Sequence, residues 1–249
     1  MKVKAIILGA GRGTRMGSDL PKVLHPICGR PMVQILMDTV RNADISDITV
    51  VIGPDMNSVA EAVAPAKTVV QKDRLGTAHA VLAAEAELDP FDGCVLVLFG
   101  DSPLISSDTL KNMIREYQNG SDVVVLGFVP TDARRYGRLI MGTNGLERIV
   151  EYKDATDSER AVRLCNSGVM CLNGRVVRDL LKEIKNNNAA GEYYLTDIVA
   201  IAHGHGLKCD VVIGNTEELH GVNTPDELAT AQEIFMHRQE QQNQSKGGA

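Results

Sequence analysis

The chain has 249 residues, 44% of them hydrophobic and 23% charged, which is enough to bury the core of one large α/β domain or two small ones and too apolar for a disordered segment. A net charge of −6, with four Phe, five Tyr and no Trp, argues against a nucleic-acid binder, which needs a basic face and stacking platforms. The longest apolar runs are of strand length, far short of the roughly 20 residues that span a bilayer, so no membrane partner is expected.

From the amino terminus, the apolar run Val3–Leu8 reads as a strand, and Gly9-Ala10-Gly11 ends it too soon for a signal-peptide core. Residues 31–43 carry Met32, Ile35, Leu36 and Val40 at helical spacing. A strand at 48–52, a helix at 56–63, a short strand at 68–70, an Ala-rich helix at 77–88, a strand at Cys94–Phe99 and a helix at 107–117 follow. This alternation predicts parallel strands joined by right-handed crossovers, and the continuous apolar runs suit strands covered on both faces.

The second half is less regular. Strands are expected at Val123–Phe128, 139–141, 147–152, 164–172 and Cys209–Ile213, with helices at 175–185 and 194–203. A last helix opens at Thr224-Pro225-Asp226-Glu227, with Thr at N-cap, Pro at N1 and Glu at N3, the pattern of a capping box. Residues 239–249 are polar and are expected to fray as a flexible tail, leaving 1–238 as one domain without linker or internal repeat. The expected fold is a three-layer α/β arrangement: a doubly wound, mostly parallel, Rossmann-like sheet with a smaller β-rich insertion.

The five cysteines, Cys28, Cys94, Cys165, Cys171 and Cys209, form no C-x-x-C pair, and their odd number fits no complete disulfide framework. Cys94 reads as core packing, and the set points to a reducing compartment, the cytoplasm.

The most informative segment is Leu8-Gly9-Ala10-Gly11-Arg12-Gly13-Thr14-Arg15-Met16, followed by Pro21-Lys22. Glycines directly after a first strand let backbone N–H groups form a concave anion site. Between residues 1 and 30 there are six basic side chains and one acidic, in a chain that is acidic as a whole. That local charge points to a phosphorylated ligand. The spacing Gly9-x-Gly11-x-Gly13 is neither the dinucleotide fingerprint nor a P-loop.

L-x-x-G-x-G-T-R-M with a downstream P-K resembles the signature of sugar-1-phosphate nucleotidylyltransferases. Further segments narrow the likeness: Gln71 with Leu75-Gly76-Thr77-Ala78-His79-Ala80; Phe99-Gly100-Asp101-Ser102-Pro103-Leu104; Tyr136-Gly137-Arg138; Val150-Glu151-Tyr152-Lys153-Asp154-Ala155; Asn166-Ser167-Gly168; Asn186-Asn187-Asn188-Ala189-Ala190-Gly191-Glu192-Tyr193-Tyr194-Leu195-Thr196-Asp197; and Gly221-Val222-Asn223. In order and spacing they resemble the uridylyltransferase domain of the bacterial N-acetylglucosamine-1-phosphate uridylyltransferases, over residues 4–233.

The resemblance implies an enzyme that joins UTP and N-acetylglucosamine 1-phosphate with Mg²⁺, making UDP-N-acetylglucosamine and pyrophosphate. It implies that Arg15, Lys22 and Asp101 are catalytic and that Asp101 and Asn223 are the protein ligands of the metal. Leu8, Gly11, Gln71, Gly76 and Thr77 would hold the uracil, and Gly137, Glu151, Asn166 and Thr196 the sugar, with Gly13 and Gly100 completing the substrate-binding set. The β-rich insertion would then be the sugar-binding part. Each residue has a plainer alternative: Asp101 a turn-former, Asn223 a loop residue, Glu151 and Asn166 a solvated strand face.

Two departures stand out within the segments. Phe99-Gly100-Asp101 replaces the Tyr-Gly-Asp common in this group, and Gly9 stands where Ala is common. The hexapeptide-repeat β-helix that usually follows is absent, so the chain is expected to be either a stand-alone uridylyltransferase or part of a longer protein, and its oligomeric state is left open. Two alternatives remain: the same chemistry on another sugar 1-phosphate or nucleotide, and a non-catalytic sugar-nucleotide binder. His203-Gly204-His205 lacks a partner at metal-ligand spacing and reads as a surface turn, and His79 as a packing or capping residue.

Overall fold

The computed structural model describes residues 1–88, 91–133 and 136–247. The elements in chain order begin with β1 (Val3–Leu8), short 3-10 turns at Thr14–Met16 and Lys22–Leu24, the two-residue strands β2 (Pro26–Ile27) and β3 (Arg30–Pro31), and α1 (Met32–Asn42). Next come β4 (Asp47–Ile52), α2 (Asn57–Val63), β5 (Lys67–Val70), α3 (Thr77–Ala83), α4 (Glu85–Leu88), β6 (Cys94–Phe99), α5 (Ser107–Gln118) and β7 (Val123–Phe128). The rest are β8 (Arg138–Gly142), β9 (Gly145–Val150), α6 (Asp157–Arg160), β10 (Cys165–Asn173), α7 (Val177–Glu183), α8 (Asp197–Gly204), β11 (Cys209–Ile213), a 3-10 turn at Thr216–Glu218, and α9 (Pro225–Gly247).

The main sheet runs β11-β7-β10-β6-β1-β4-β5. The alternation of side chains along each strand divides the core into two layers. Ala5 and Ile7 of β1, with Leu96 and Leu98 of β6, pack under α1, α2 and α5, whereas Ile6 and Leu8, with Val95 and Val97, pack under α3, α4, α7 and α8. The architecture is thus the expected three-layer, doubly wound α/β fold. A third apolar cluster joins Met16, Ile27, Met32, Leu104 and Val222 to α9 through Ala231, Leu228 and Phe235.

β10 departs from the parallel pattern. It lies between β6 and β7 and is antiparallel to both, and its register shifts between Asn166 and Met170. A shift of this kind bends a strand and re-aims its side chains. The β-rich insertion is the β8–β9 hairpin, which joins the sheet through the pairing of Arg138 with Cys165.

Several expectations are corrected. The helix expected at 77–88 is broken at Ala84, which turns Glu85 to Arg178 and Lys182 and Glu87 to Lys4 and Lys67. At the start of α9 Thr224 Oγ1 accepts from the Glu227 N–H at 3.2 Å, as the capping pattern implies, and the Glu227 carboxylate accepts from the N–H of Asn223 at 2.7 Å. α9 runs as far as Gly247 and so takes in residues 239–247. Cys94, read as core packing, is buried as expected but also forms a disulfide with Cys171, at a Cα–Cα distance of 6.2 Å. The insertion of β10 beside β6 makes neighbours of residues 77 apart in sequence, which no cysteine spacing reveals, and cysteine usage is therefore no argument about compartment. Cys165 and Cys209 stay free and buried, and burial pushes the Cys209 thiol up to about 12. Among the described residues no helix is long and apolar enough to cross a membrane.

Leu96 is fully buried at the centre of the sheet. Leu96→Ala is expected to lower unfolding free energy by about 2–5 kcal/mol, the usual cost of such a cavity, read as a drop in the urea midpoint; a shift within error would contradict the packing described.

Candidate functional site

The chain lays β4 and β5 on one side of β1 and then crosses to place β6 on the other. In open α/β sheets this reversal opens a crevice at the carboxyl ends of the strands. Here those ends are Leu8 and Phe99, tied by the Gly100 N–H donating to the Leu8 carbonyl at 2.9 Å. The glycine loop leaves from the first end and Gly100-Asp101 from the second.

Four side chains meet there. The Lys22 ammonium donates to Asp101 Oδ2 and, at 3.1 Å, to Asn223 Oδ1. Arg15 Nη2 donates to the same Asn223 oxygen at 2.9 Å. The Asn223 amide is oriented by its own Nδ2 donating to the Gly221 carbonyl at 3.2 Å, and its backbone by the Glu227 carboxylate. The Val222 N–H donates to the Asp101 carbonyl at 2.8 Å, which fixes one loop against the other. Gly13 has φ +67°, and a Cβ on it would lie 2.6 Å from Lys22 Cβ, so only glycine lets the loop pass this close behind the lysine.

A pocket of about 330 Å³ opens beside this cluster. Leu8, Gly11, Lys22, Gln71, Gly76, Thr77 and Asp101 line it, all of them sequence candidates. Gln71 is buried, and its amide donates to the Gly76 carbonyl at 3.1 Å and to His79 Nδ1 at 3.2 Å. An amide nitrogen can only donate, so Nδ1 accepts and His79 orients the glutamine, a role beyond the packing expected of it. Gly76 has φ +126°, and a Cβ there would stand 2.4 Å from the Tyr193 carbonyl oxygen. That close passage lets the Tyr193 N–H donate to Leu75 at 2.8 Å and the Ala78 N–H to Tyr193 at 2.9 Å.

An adjoining pocket of about 210 Å³ holds Gly137, Glu151, Asn166 and Thr196, again all sequence candidates, with Tyr136, Ser167 and Gly168. Thr77 and Phe99 line both pockets. Thr77 Oγ1 also accepts from the Leu195 N–H at 2.9 Å, and Thr196 Oγ1 donates to Glu151 Oε1 at 3.2 Å. Arg138 is almost wholly buried and donates to the carbonyls of Tyr136 and Arg160, which sets the backbone at Gly137. Burial is the main cause that lifts the Glu151 carboxyl above the ordinary range; Asp154 and Asp197 add to it, and the Thr196 hydroxyl opposes it. Asp197 is raised too, mainly by burial.

The sequence reading missed Arg74, which lines the first pocket and donates from Nε to the Ala10 carbonyl at 2.7 Å. A single arginine in a loop carries no periodic signal; its place between Gln71 and Gly76 was the available cue. His205 pairs with Glu183 at 2.9 Å, and among the described residues no group of three or more His, Cys, Asp or Glu side chains is placed to hold a metal.

Residues 5–192 match the family described as MobA-like NTP transferase domain. The chain is 56% identical over 239 residues to the bifunctional protein GlmU of Rhodospirillum rubrum, covering 95% of this chain and 54% of that protein. It is 53% identical to the protein of the same name in Paramagnetospirillum magneticum, over 95% of this chain and 53% of that one, and 48% identical to that of Roseobacter denitrificans, over 96% and 54%. The chain spans about half the length of these curated relatives.

The raised Glu151 carboxyl has a consequence for stability. Folding favours its protonated form, so its stabilising contribution is full below the unfolded value and is lost as pH rises through the folded one. Glu151→Gln is therefore expected to match the parent in urea midpoint near about pH 4 and to exceed it near about pH 8. An equal or lower midpoint at the higher pH would refute the burial argument.

Proposed function

The chain belongs to the MobA-like NTP transferase domain family, and from that premise we propose that it is a sugar-1-phosphate uridylyltransferase that makes UDP-N-acetylglucosamine and pyrophosphate from UTP and N-acetylglucosamine 1-phosphate. The observation that carries this reading is the convergence of Arg15, Lys22, Asp101 and Asn223 at a sheet crevice with two joined pockets. A nucleotide and a sugar phosphate need two compartments that meet at one charged point. The family-like motifs quoted from the sequence supply the choice of uracil and N-acetylglucosamine.

In this reaction a phosphate oxygen of the sugar 1-phosphate attacks the α-phosphorus of UTP, and pyrophosphate leaves from the opposite side. The nucleophile is already an anion, so no general base is needed; rate comes from alignment and from charge compensation. The backbone from Gly9 to Gly13 cradles the triphosphate. Lys22 takes the α-phosphate and Arg15 the pyrophosphate side, each offering fixed positive charge where negative charge spreads. The Gln71 amide, with backbone groups of Leu8, Gly11 and Gly76, matches the donor–acceptor edge of uracil, and Thr77 closes that pocket. In the second pocket the Glu151 carboxylate accepts from sugar hydroxyls, and Asn166, Thr196 and the Gly137 backbone hold the N-acetyl group.

The donor set at the junction suits Mg²⁺. That ion takes one or two protein oxygens and leaves the rest of its shell to phosphate and water. Asp101 Oδ2 and Asn223 Oδ1 already share one cationic partner, Lys22 Nζ, so both oxygens reach a common point. When bound, Mg²⁺ supplies Lewis-acid neutralisation of the phosphates. The reading carries a cytoplasmic location, where nucleoside triphosphates are made, and no nucleic-acid or membrane partner.

The purified chain should release pyrophosphate from UTP and N-acetylglucosamine 1-phosphate; silence with every sugar 1-phosphate and nucleotide tried would overturn the proposal. Lys22→Ala and Asp101→Asn are each expected to cut kcat by about 10²–10³ while circular dichroism stays near that of the parent; melting falls, because each change strands one partner of a shielded ion pair. Unchanged turnover in either variant contradicts the roles given to them.

A further inference from the structure

The Arg74 side chain does not extend into solvent. It crosses the carboxyl end of β4 toward the glycine loop. Its Nε donates to the Ala10 carbonyl at 2.7 Å, and its guanidinium lies against Gly53, where a Cβ would come within 2.2 Å of Nη2 and 3.0 Å of Cζ. Among the described residues Arg74 forms no ion pair, so this guanidinium is not there to neutralise a carboxylate. Its bonded partner is a main-chain oxygen of the loop that opens the crevice.

That bond acts on more than a carbonyl. The Ala10–Gly11 peptide is planar and trans, so pinning the Ala10 oxygen also fixes the Gly11 N–H, which points the opposite way. Gly11 has open space where a Cβ would stand and is exposed, so packing does little to hold the unit. A glycine on the far side of a peptide makes its rotation cheap. A charge-assisted hydrogen bond is the restraint that remains.

The geometry points to Arg74 as a positioning residue for the nucleotide: it clamps the Ala10–Gly11 peptide so that the glycine loop is set before the ligand arrives, and Gly53 is glycine because the guanidinium needs that space. The clamp stands on the contacts alone; that its ligand is a nucleoside triphosphate rests on the function proposed above. Arg74 touches the loop and not the reacting atoms, so it should govern nucleotide affinity more than the chemical step.

The test pairs backbone ¹⁵N relaxation of the ligand-free protein with kinetics in which UTP and N-acetylglucosamine 1-phosphate are varied separately. Arg74→Ala should lower the Gly11 N–H order parameter from about 0.85 to below about 0.6 and raise the KM for UTP by about tenfold, with kcat and the KM for the sugar phosphate within about twofold. Arg74→Lys, which keeps the charge but not the fork, should recover only part of both effects. Gly53→Ala should push the guanidinium off Ala10 and reproduce the Arg74→Ala phenotype, and the double variant should be no worse than either single one. An unchanged Gly11 order parameter in Arg74→Ala, equal rises in both KM values, or additive effects in the double variant would overturn the clamp. If the parent protein turns over no nucleotide, the function proposed above fails, and the relaxation measurement on the ligand-free protein still decides the clamp.

Discussion

The Lys22 ammonium holds together two parts of the chain that share no element. Asp101 follows the central strand β6, and Asn223 precedes α9; the lysine joins them from the loop after β1. The lysine and aspartate side chains are mostly shielded from solvent, at 15% and 16% exposure, so neither charge could sit there comfortably without the other. The apolar cluster around Met16, Leu104 and Val222 holds the same loops from below. A charged junction of this kind needs a stiff frame, and α9 is part of it, because its first-turn Glu227 fixes the backbone from which Asn223 projects.

The second pocket shows the opposite tension. A carboxylate among Phe99, Met170 and Leu195 costs stability whenever it is ionised, yet an ionised acceptor is what the hydroxyl-rich ligand proposed above calls for. The protein keeps Glu151 in place with one hydroxyl, that of Thr196, and with a backbone shaped by the buried Arg138. Sites commonly retain such locally unfavourable groups because the ligand completes what the fold leaves unfinished.

Much of this was legible in the amino-acid order because it is local. Continuous apolar runs marked β1, β4, β6 and β7, which are buried on both faces, and the glycine loop announced itself through its position after the first strand. The candidates of the two pockets were found through short motifs, each of which sits on one turn or strand end. What escaped depends on long-range neighbours. The antiparallel entry of β10 between β6 and β7 cannot be read from its own residues, and the pairing of Cys94 with Cys171 follows from it. The break at Ala84 serves ion pairs with α7 and with β1 and β5, so propensity alone favoured one long helix. Arg74 acts across three loops, and only the fold brings Gly53 and Ala10 to it.

Thr77 belongs to both compartments at once, and its hydroxyl is tied to the main chain at Leu195. Phe99 is shared in the same way. Reshaping one chamber to admit a bulkier guest would deform the other, so on the function proposed above selectivity for base and for sugar should be traded together in any redesign or natural divergence of this scaffold.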